Sequence, residues 1–290
     1  MTRKRGEPLT RSALNKFPLP PVVDGDKETK GRILIVAGSR EMAGAALLVS
    51  TAAMRAGAGK LRMVTGKSVA VQTSIAMPEA LVVGLEEAQD GGFTRTAIHQ
   101  IREEADHVDA VVAGPGMAEA TTGALLAEQL LRSPASVVLD AALLHSLKRG
   151  EPELRKGGHP ILLPHAGELS SLLDSEEEEI DDDPIGCGIR AAELYQAHVL
   201  VKGVTSHVVT PGGRAWTYSG GAPGLGVSGS GDTLAGIVGG LLARGAEPLT
   251  ALLWAVLLHG EAGETLAGKI GPIGFLAREI PDEIPALLAR

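Results

Sequence analysis

From Arg32 onward the chain alternates short, uninterrupted apolar runs with alanine- and leucine-rich stretches of helical length. Ile33 to Val36 (ILIV) predicts a buried strand closed by Ala37-Gly38-Ser39, and Ala43 to Arg55 predicts a helix. Leu61 to Val64 predicts the next strand. Asp109 to Ala113, Ser136 to Leu139, Ile161 to Leu163 and His198 to Val201 repeat the unit, each followed by a turn and a helix. Strands apolar at every position, separated by helices, imply an α/β fold with a central, mostly parallel sheet covered on both faces. After Lys202 the pattern changes. Ser206 to Thr210 and Arg214 to Tyr218, joined by Pro211-Gly212-Gly213, predict a hairpin and therefore an antiparallel edge. Two long helices follow, over Gly231 to Arg244 and Pro248 to Ala267. No linker interrupts the run, so the expectation is a single catalytic domain over 31–290 behind a polar N-terminal arm, 1–30.

Composition then narrows the function classes. Asp and Glu number 35 against 27 Lys and Arg, a net charge of −8, and there are only three Phe, two Trp and two Tyr. Nucleic-acid binders combine a basic stripe with stacking side chains, so no nucleic-acid partner is expected. No apolar run reaches the length of a membrane span or follows the charged N-terminus as a secretion signal would, which excludes a membrane partner and points to the cytoplasm. The lone Cys187 cannot form an internal disulfide and has no neighbouring base, so it is not expected to be a nucleophile. His99, His107, His145, His159, His198, His207 and His259 form no i, i+4 metal pair and are read as structural. The acidic run Glu176 to Asp183 (EEEEIDDD) is read as a solvated face without function.

The chemistry concentrates in Gly226 to Gly236, GVSGSGDTLAG, just ahead of a helix. Three glycines and two serines ahead of the helix present several backbone N–H groups, which with the partial positive charge of a helix N-terminus predict an anion hole, and Asp232 stands in the first turn. A plainer reading makes Asp232 a helix cap. Val201-Lys202-Gly203 ends a strand some thirty residues upstream, at the kind of position where ligands gather on open α/β sheets. A cation, an anion hole and an acid together are the equipment of phosphoryl transfer. No GxxxxGK[ST] loop and no GxGxxG fingerprint occurs, so the phosphate site is of another kind.

Eight fragments in order carry a family resemblance: Gly38-Ser39 with Gly44-Ala45, Arg55-Ala56-Gly57-Ala58-Gly59, Pro78-Glu79, Gly114-Pro115-Gly116, Asp140-Ala141, Pro164-His165-Ala166-Gly167-Glu168, Lys202-Gly203 and Gly229-Ser230-Gly231-Asp232. Between about Lys30 and Ala267 the chain resembles the ADP/ATP-dependent NAD(P)H-hydrate dehydratases of the ribokinase-like superfamily. The resemblance implies that a nucleotide, ADP or ATP with Mg2+, phosphorylates the ring hydroxyl of (6S)-NADHX or (6S)-NADPHX, and that loss of phosphate restores NADH or NADPH. It implies Asp232 as general base in contact with the substrate, and Gly229, Ser230 and Gly231 as holders of the transferring phosphoryl group. Lys202, Gly203, Val204, Thr205 and Ser206, with Gly231, would bind the nucleotide, and Ala45, Gly116 and His165 the hydrated dinucleotide. Glu168 is a candidate to orient magnesium through water. A homo-oligomer is expected. The companion epimerase domain of many such proteins has no room here, so a separate NAD(P)HX epimerase is the expected partner in the pathway. One departure stands out: the family's usual D-A-D-A-L segment is Asp140-Ala141-Ala142-Leu143-Leu144, with Ala142 at the second acid. Two other readings share the pocket, a ribokinase-like kinase for the hydroxyl of a vitamin precursor and a non-catalytic nucleotide sensor. Retention of Asp232 speaks against the sensor.

Overall fold

The structure is a computed structural model and describes residues 5–21, 30–148 and 158–290. The chain opens with β1 (Glu7–Pro8) and α1 (Arg11–Leu14). It continues through β2 (Arg32–Val36), α2 (Ala43–Arg55), β3 (Lys60–Gly66), α3 (Ala70–Ala76), β4 (Ala80–Leu85) and α4 (Arg95–Ala105). Next come β5 (Ala110–Ala113), α5 (Gly123–Leu131), β6 (Ser136–Leu139), α6 (Ala142–His145) and β7 (Ile161–Leu162). Helices α7 (Ala166–Leu173), α8 (Glu177–Asp182) and α9 (Pro184–Tyr195) lead to β8 (His198–Val201). The hairpin of β9 (Ser206–Val209) and β10 (Ala215–Tyr218) precedes α10 (Ser230–Ala243), α11 (Pro248–Lys269) and α12 (Ile280–Leu288).

The described strands form one ten-stranded sheet in the order β1-β10-β9-β8-β7-β6-β5-β2-β3-β4. Pairing is parallel from β4 to β8 and antiparallel through β8, β9 and β10, as the apolar runs and the Pro211-Gly212-Gly213 turn imply. Side-chain alternation assigns the two faces. In β2, Ile33 and Ile35 join the cluster under α2, α10 and α11, while Leu34 and Val36 join the cluster under α4, α5, α7 and α9. Leu200 of β8 follows the first pair, and Val199 and Val201 follow the second. A strand buried on both sides can be apolar at every position, which is why it reads as a continuous run.

Three features depart from the expected pattern. The strand β4 is missing from the expected set, and it is the half-exposed outer strand, with Leu81 54% exposed. At the opposite end the hairpin is not outermost, because β1 pairs parallel with β10, Glu7 opposite Trp216. Residues 5–21 lie in the stretch read as a polar arm, yet they pack on the domain. Leu9 and Leu14 are buried, Phe17 meets Trp216 edge-to-face at 5.6 Å, and the Trp254 indole N–H donates to the Phe17 carbonyl at 2.7 Å. Widely spaced apolar anchors inside a polar run give no periodic signal. The rest of the arm, 1–4 and 22–29, lies outside the described residues.

One packing detail positions the site. A Cβ on Gly236 would lie 2.2 Å from the Val49 carbonyl oxygen, and one on Gly240 would lie 2.4 Å from that of Ala53. These contacts advance together along both helices, so α10 and α2 run parallel, backbone against backbone, with both N-termini at the same end. The alanines of α2 are the packing surface that makes this approach possible.

Candidate active site

The chain leaves β2 toward β3 and β4 on one side, whereas β5 to β8 extend to the other. Between β2 and β5 the topology therefore reverses, and the loops beyond these strand ends open a crevice. The Gly38 N–H donates to the Pro115 carbonyl at 2.9 Å and ties the two loops together. Glycine is required in the second loop. Gly114 has φ +117°, and a Cβ there would lie 1.8 Å from the Asp140 carbonyl oxygen. Gly116 has φ +62°, and its Cβ would lie 2.4 Å from the Ala45 Cβ and 2.8 Å from the Met42 carbonyl oxygen. Two of the three residues assigned to the dinucleotide, Ala45 and Gly116, are thus brought together at the start of α2.

The third, His165, is the N-cap of α7. Its Nδ1 accepts from the N–H groups of Gly167 (3.1 Å) and Glu168 (3.3 Å), and Glu168 Oε2 accepts from the His165 N–H at 2.8 Å. This is a reciprocal capping box with histidine in the usual Ser or Thr position. Because Nδ1 accepts, the ring proton sits on Nε2, and the side chain is 60% exposed. His165 also forms a parallel bridge with Lys202, so the ends of β7 and β8 stand side by side.

Lys202 is the centre of charge. Its Nζ donates to Asp140 Oδ1 at 2.8 Å and lies 3.7 Å from Glu168 Oε2; both carboxylates are buried. It also lies 3.7 Å from where a Cβ on Gly231 would stand, against the first turn of α10. Burial works against the ammonium, but the charges of Asp140 and Glu168 outweigh it and hold its pKa above the ordinary lysine value. Asp140 ends β6 and is followed by Ala141, a non-glycine residue held at φ +49°. Ala142 packs in the apolar cluster on the far face, and Lys202 has its carboxylates without a second acid there. The remaining nucleotide candidates form the β8–β9 loop. Val204 is fully exposed, Gly203 is exposed, Thr205 and Ser206 are half-buried, and the Ser206 hydroxyl donates to the Gly203 carbonyl at 3.4 Å.

The helix α10 begins one residue earlier than its pattern suggests. Its N-cap is Gly229 at φ +89°, where a Cβ would lie 2.5 Å from Leu48 Cδ1. No side chain caps this helix, so Asp232, third in its first turn, is not a cap. Burial, then the charge of Asp140, pushes the Asp232 carboxyl up to about 6, with Lys202 pulling the other way. One expected donor needs correction. The Ser230 N–H is spent on the Val227 carbonyl at 3.1 Å, inside the turn that starts the helix. Among the described residues the N–H groups of Gly229, Gly231 and Asp232 have no backbone acceptor and are the donors left open at the start of α10.

Two partnerships were not legible in the sequence. Asp140 finds Lys202 across 62 residues. His259 of α11, read as structural, has its Nε2 3.0 Å from the Ser230 hydroxyl and 3.1 Å from the Ser230 carbonyl oxygen. The only local sign was an acid at a strand end in the first case, and nothing in the second. A cavity of about 670 Å3 lies at the opposite ends of the strands beside Asp109, Ser136, His159 and His198, away from this chemistry. Cys187 is buried, and burial, then the charge of Glu179, pushes its thiol pKa up, the reverse of what a nucleophile needs. The acidic run forms α8, with most of its carboxylates exposed, while Asp183 caps α9.

Magnesium can be tested against these donors. Among the described residues no three His, Cys, Asp or Glu side chains converge as ligands, and Glu168 is engaged by the His165 N–H and Lys202. The set fits an ion held mainly by phosphate oxygens and water, the usual habit of Mg2+, with Glu168 the candidate to orient it through water.

The sequence profile of the NAD(P)H-hydrate dehydratase family matches residues 33–286. An ADP-dependent (S)-NAD(P)H-hydrate dehydratase of Xanthomonas campestris pv. campestris is 46% identical over 100% of this chain and 99% of its own length. A bifunctional NAD(P)H-hydrate repair enzyme of Moorella thermoacetica is 32% identical over 91% of this chain, which spans only 50% of that protein. The crystal structure of the ADP/ATP-dependent NAD(P)H-hydrate dehydratase of Bacillus subtilis, co-crystallised with ATP/Mg2+, superposes with a TM-score of 0.85 at 27% identity, covering 100% of this chain and 99% of that one. The fold is the ribokinase-like one.

Proposed function

The chain belongs to the NAD(P)H-hydrate dehydratase family, and we propose that it uses ADP or ATP to return (6S)-NADHX and (6S)-NADPHX to NADH and NADPH. Hydroxide is a poor leaving group and phosphate a good one. Phosphorylating the ring hydroxyl therefore lets the ring nitrogen push the group out, and each turnover releases one orthophosphate. Asp232 takes the hydroxyl proton. A carboxylate with a pKa of about 6 is ionised at neutral pH and more basic than an ordinary aspartate, which suits a general base. The amides of Gly229 and Gly231 hold the charge on the transferring phosphoryl group. Lys202 and the loop through Ser206 hold the nucleotide, and Ala45, Gly116 and the Nε2–H of His165 meet the hydrated dinucleotide. Magnesium, oriented through water by Glu168, would supply charge neutralisation to the phosphates.

The observation that carries this reading is Asp232 in the uncapped first turn of α10, beside the Lys202–Asp140 pair. Relatives that join two repair activities in one chain support a separate epimerase as the pathway partner. No helix among the described residues is long and apolar enough to cross a membrane, and we read the protein as cytoplasmic. Val71 and Ile75 of α3 and Leu81 of the outer strand β4, at 68%, 77% and 54% exposure, support a homo-oligomer, which light scattering tests.

With hydrated NADH, Mg2+ and ADP, purified protein should restore the absorbance of reduced nicotinamide, with one AMP and one phosphate formed per NADH. Accumulation of a stable phosphorylated alcohol, with no reduced nicotinamide, would establish the kinase alternative instead.

A further inference from the structure

His259 lies on α11, half-buried, with its Nε2 3.0 Å from the Ser230 hydroxyl oxygen and 3.1 Å from the Ser230 carbonyl oxygen. A carbonyl only accepts, so the imidazole proton that faces it is on Nε2. Burial holds the ring at a pKa of about 4, against the hydrogen bond to Ser230 and with some help from the charge of Lys202, so the ring is neutral and its tautomer is fixed by this contact. The same carbonyl also accepts from the Thr233 hydroxyl at 2.7 Å and, belonging to the first residue of α10, opens the helix's own hydrogen-bond ladder. Thr233 is fully buried and Ser230 is 6% exposed.

That carbonyl belongs to the peptide unit whose other end is the Gly231 N–H. A trans peptide is planar, with C=O and N–H pointing to opposite sides. Drawing the oxygen toward α11 and Thr233 therefore aims the Gly231 N–H the other way, out of the N-terminus of α10. Gly231 has no Cβ to stiffen the unit, so the hydrogen bonds to the Ser230 carbonyl set its orientation. From these contacts we infer that His259 is a positioning residue for the proposed phosphoryl transfer: its Nε2–H locks the Ser230–Gly231 peptide so that the Gly231 amide faces the transferring phosphoryl group. The inference rests on the dehydratase reading for its kinetic consequence, but not for its geometry.

His259→Ala should lower kcat by about 10- to 100-fold, below the 10²–10³ loss of a whole oxyanion donor because Thr233 still holds the carbonyl, with KM for hydrated NADH changed little. His259→Gln, whose amide nitrogen can occupy the place of Nε2–H, should recover kcat to within a few-fold of wild type. A structural role would move melting temperature in both variants and would not separate kcat from KM. The second arm needs no turnover. In wild-type protein labelled with 15N-histidine, NMR should report His259 as the Nε2–H tautomer, and the Gly231 amide resonance should shift in His259→Ala and return in His259→Gln. An Nδ1–H tautomer, wild-type kcat in His259→Ala, or His259→Gln as impaired as His259→Ala would each overturn the inference. Wild-type protein that shows the expected NMR signature but repairs no hydrate would overturn the dehydratase reading and leave the positioning geometry standing.

Discussion

At the scale of residues, one cation faces three acids. Lys202 is bonded to Asp140 and lies near Glu168, and its charge lowers the Asp232 pKa where that of Asp140 raises it. The two neighbours shift Asp232 in opposite senses, so their removal should do the same. Lys202→Met should move the acid limb of kcat/KM to higher pH by on the order of one unit, and Asp140→Asn should move it to lower pH. Shifts of one sign in both variants would mean that Asp232 does not set that limb. Stability carries a related signature. The folded pKa of Asp232, about 6, exceeds its ordinary value of 3.8. Its contribution to stability is therefore fully present below the ordinary value and is lost as pH rises through about 6. Asp232→Asn should melt a few degrees higher than wild type at pH 8 and close to it at pH 3.5; a variant less stable at pH 8 would show the carboxylate to be stabilised rather than strained. The side chains of this cluster were legible as fragments, since GSGD, the strand-end lysine and PHAGE each have a local physical reason. The pairings were not, because Asp140 with Lys202 and His259 with Ser230 are made by tertiary approach across 62 and 29 residues.

At the scale of elements, the strand and helix pattern was read closely wherever a segment is buried on its working face. The helix over Ala43–Arg55 and the strands over Ser136–Leu139 and His198–Val201 coincide with their expected ranges. Failure came at the margins of the sheet, at β1 and β4, where a strand is short or half-exposed and its apolar signal is diluted. The loops at the crevice show what pattern cannot convey. Gly116, proposed to meet the dinucleotide, is also a packing position, because any side chain there meets Ala45 and Met42 at the start of α2. Gly116→Ala should therefore destabilise the protein by about 1–3 kcal/mol, the usual cost of overpacking, while raising KM for the hydrated dinucleotide more than that for nucleotide. Thermal melting and steady-state kinetics on the same preparation separate the two effects. Unchanged stability would show that the loop yields freely, contrary to the close approach seen here.

At the scale of the molecule, the candidate site is a consequence of two layers of helices on one sheet, with α10 laid against α2 so that the uncapped start of α10 and the Ala45–Gly116 contact lie at the same end. The N-terminal segment belongs to this architecture. Trp216, 1% exposed, packs on Phe17, and Arg11 bonds Glu261 of α11 and the Leu287 carbonyl of α12. Trp216→Ala should cost about 3–5 kcal/mol in denaturant unfolding, as large-to-small core changes do, and a value within experimental error of wild type would mean that the segment is not anchored there. All of this scaffolding serves a single chemical claim, that Asp232 removes the proton from the hydroxyl that is phosphorylated. It is tested most directly by the rate of NADH recovery from its hydrate with ADP and Mg2+ in wild type and Asp232→Asn, with nucleotide affinity measured alongside by calorimetry. The expected result is a loss of roughly 10²–10⁴ in turnover with nucleotide affinity preserved; an Asp232→Asn protein that repairs the hydrate at the wild-type rate would contradict it.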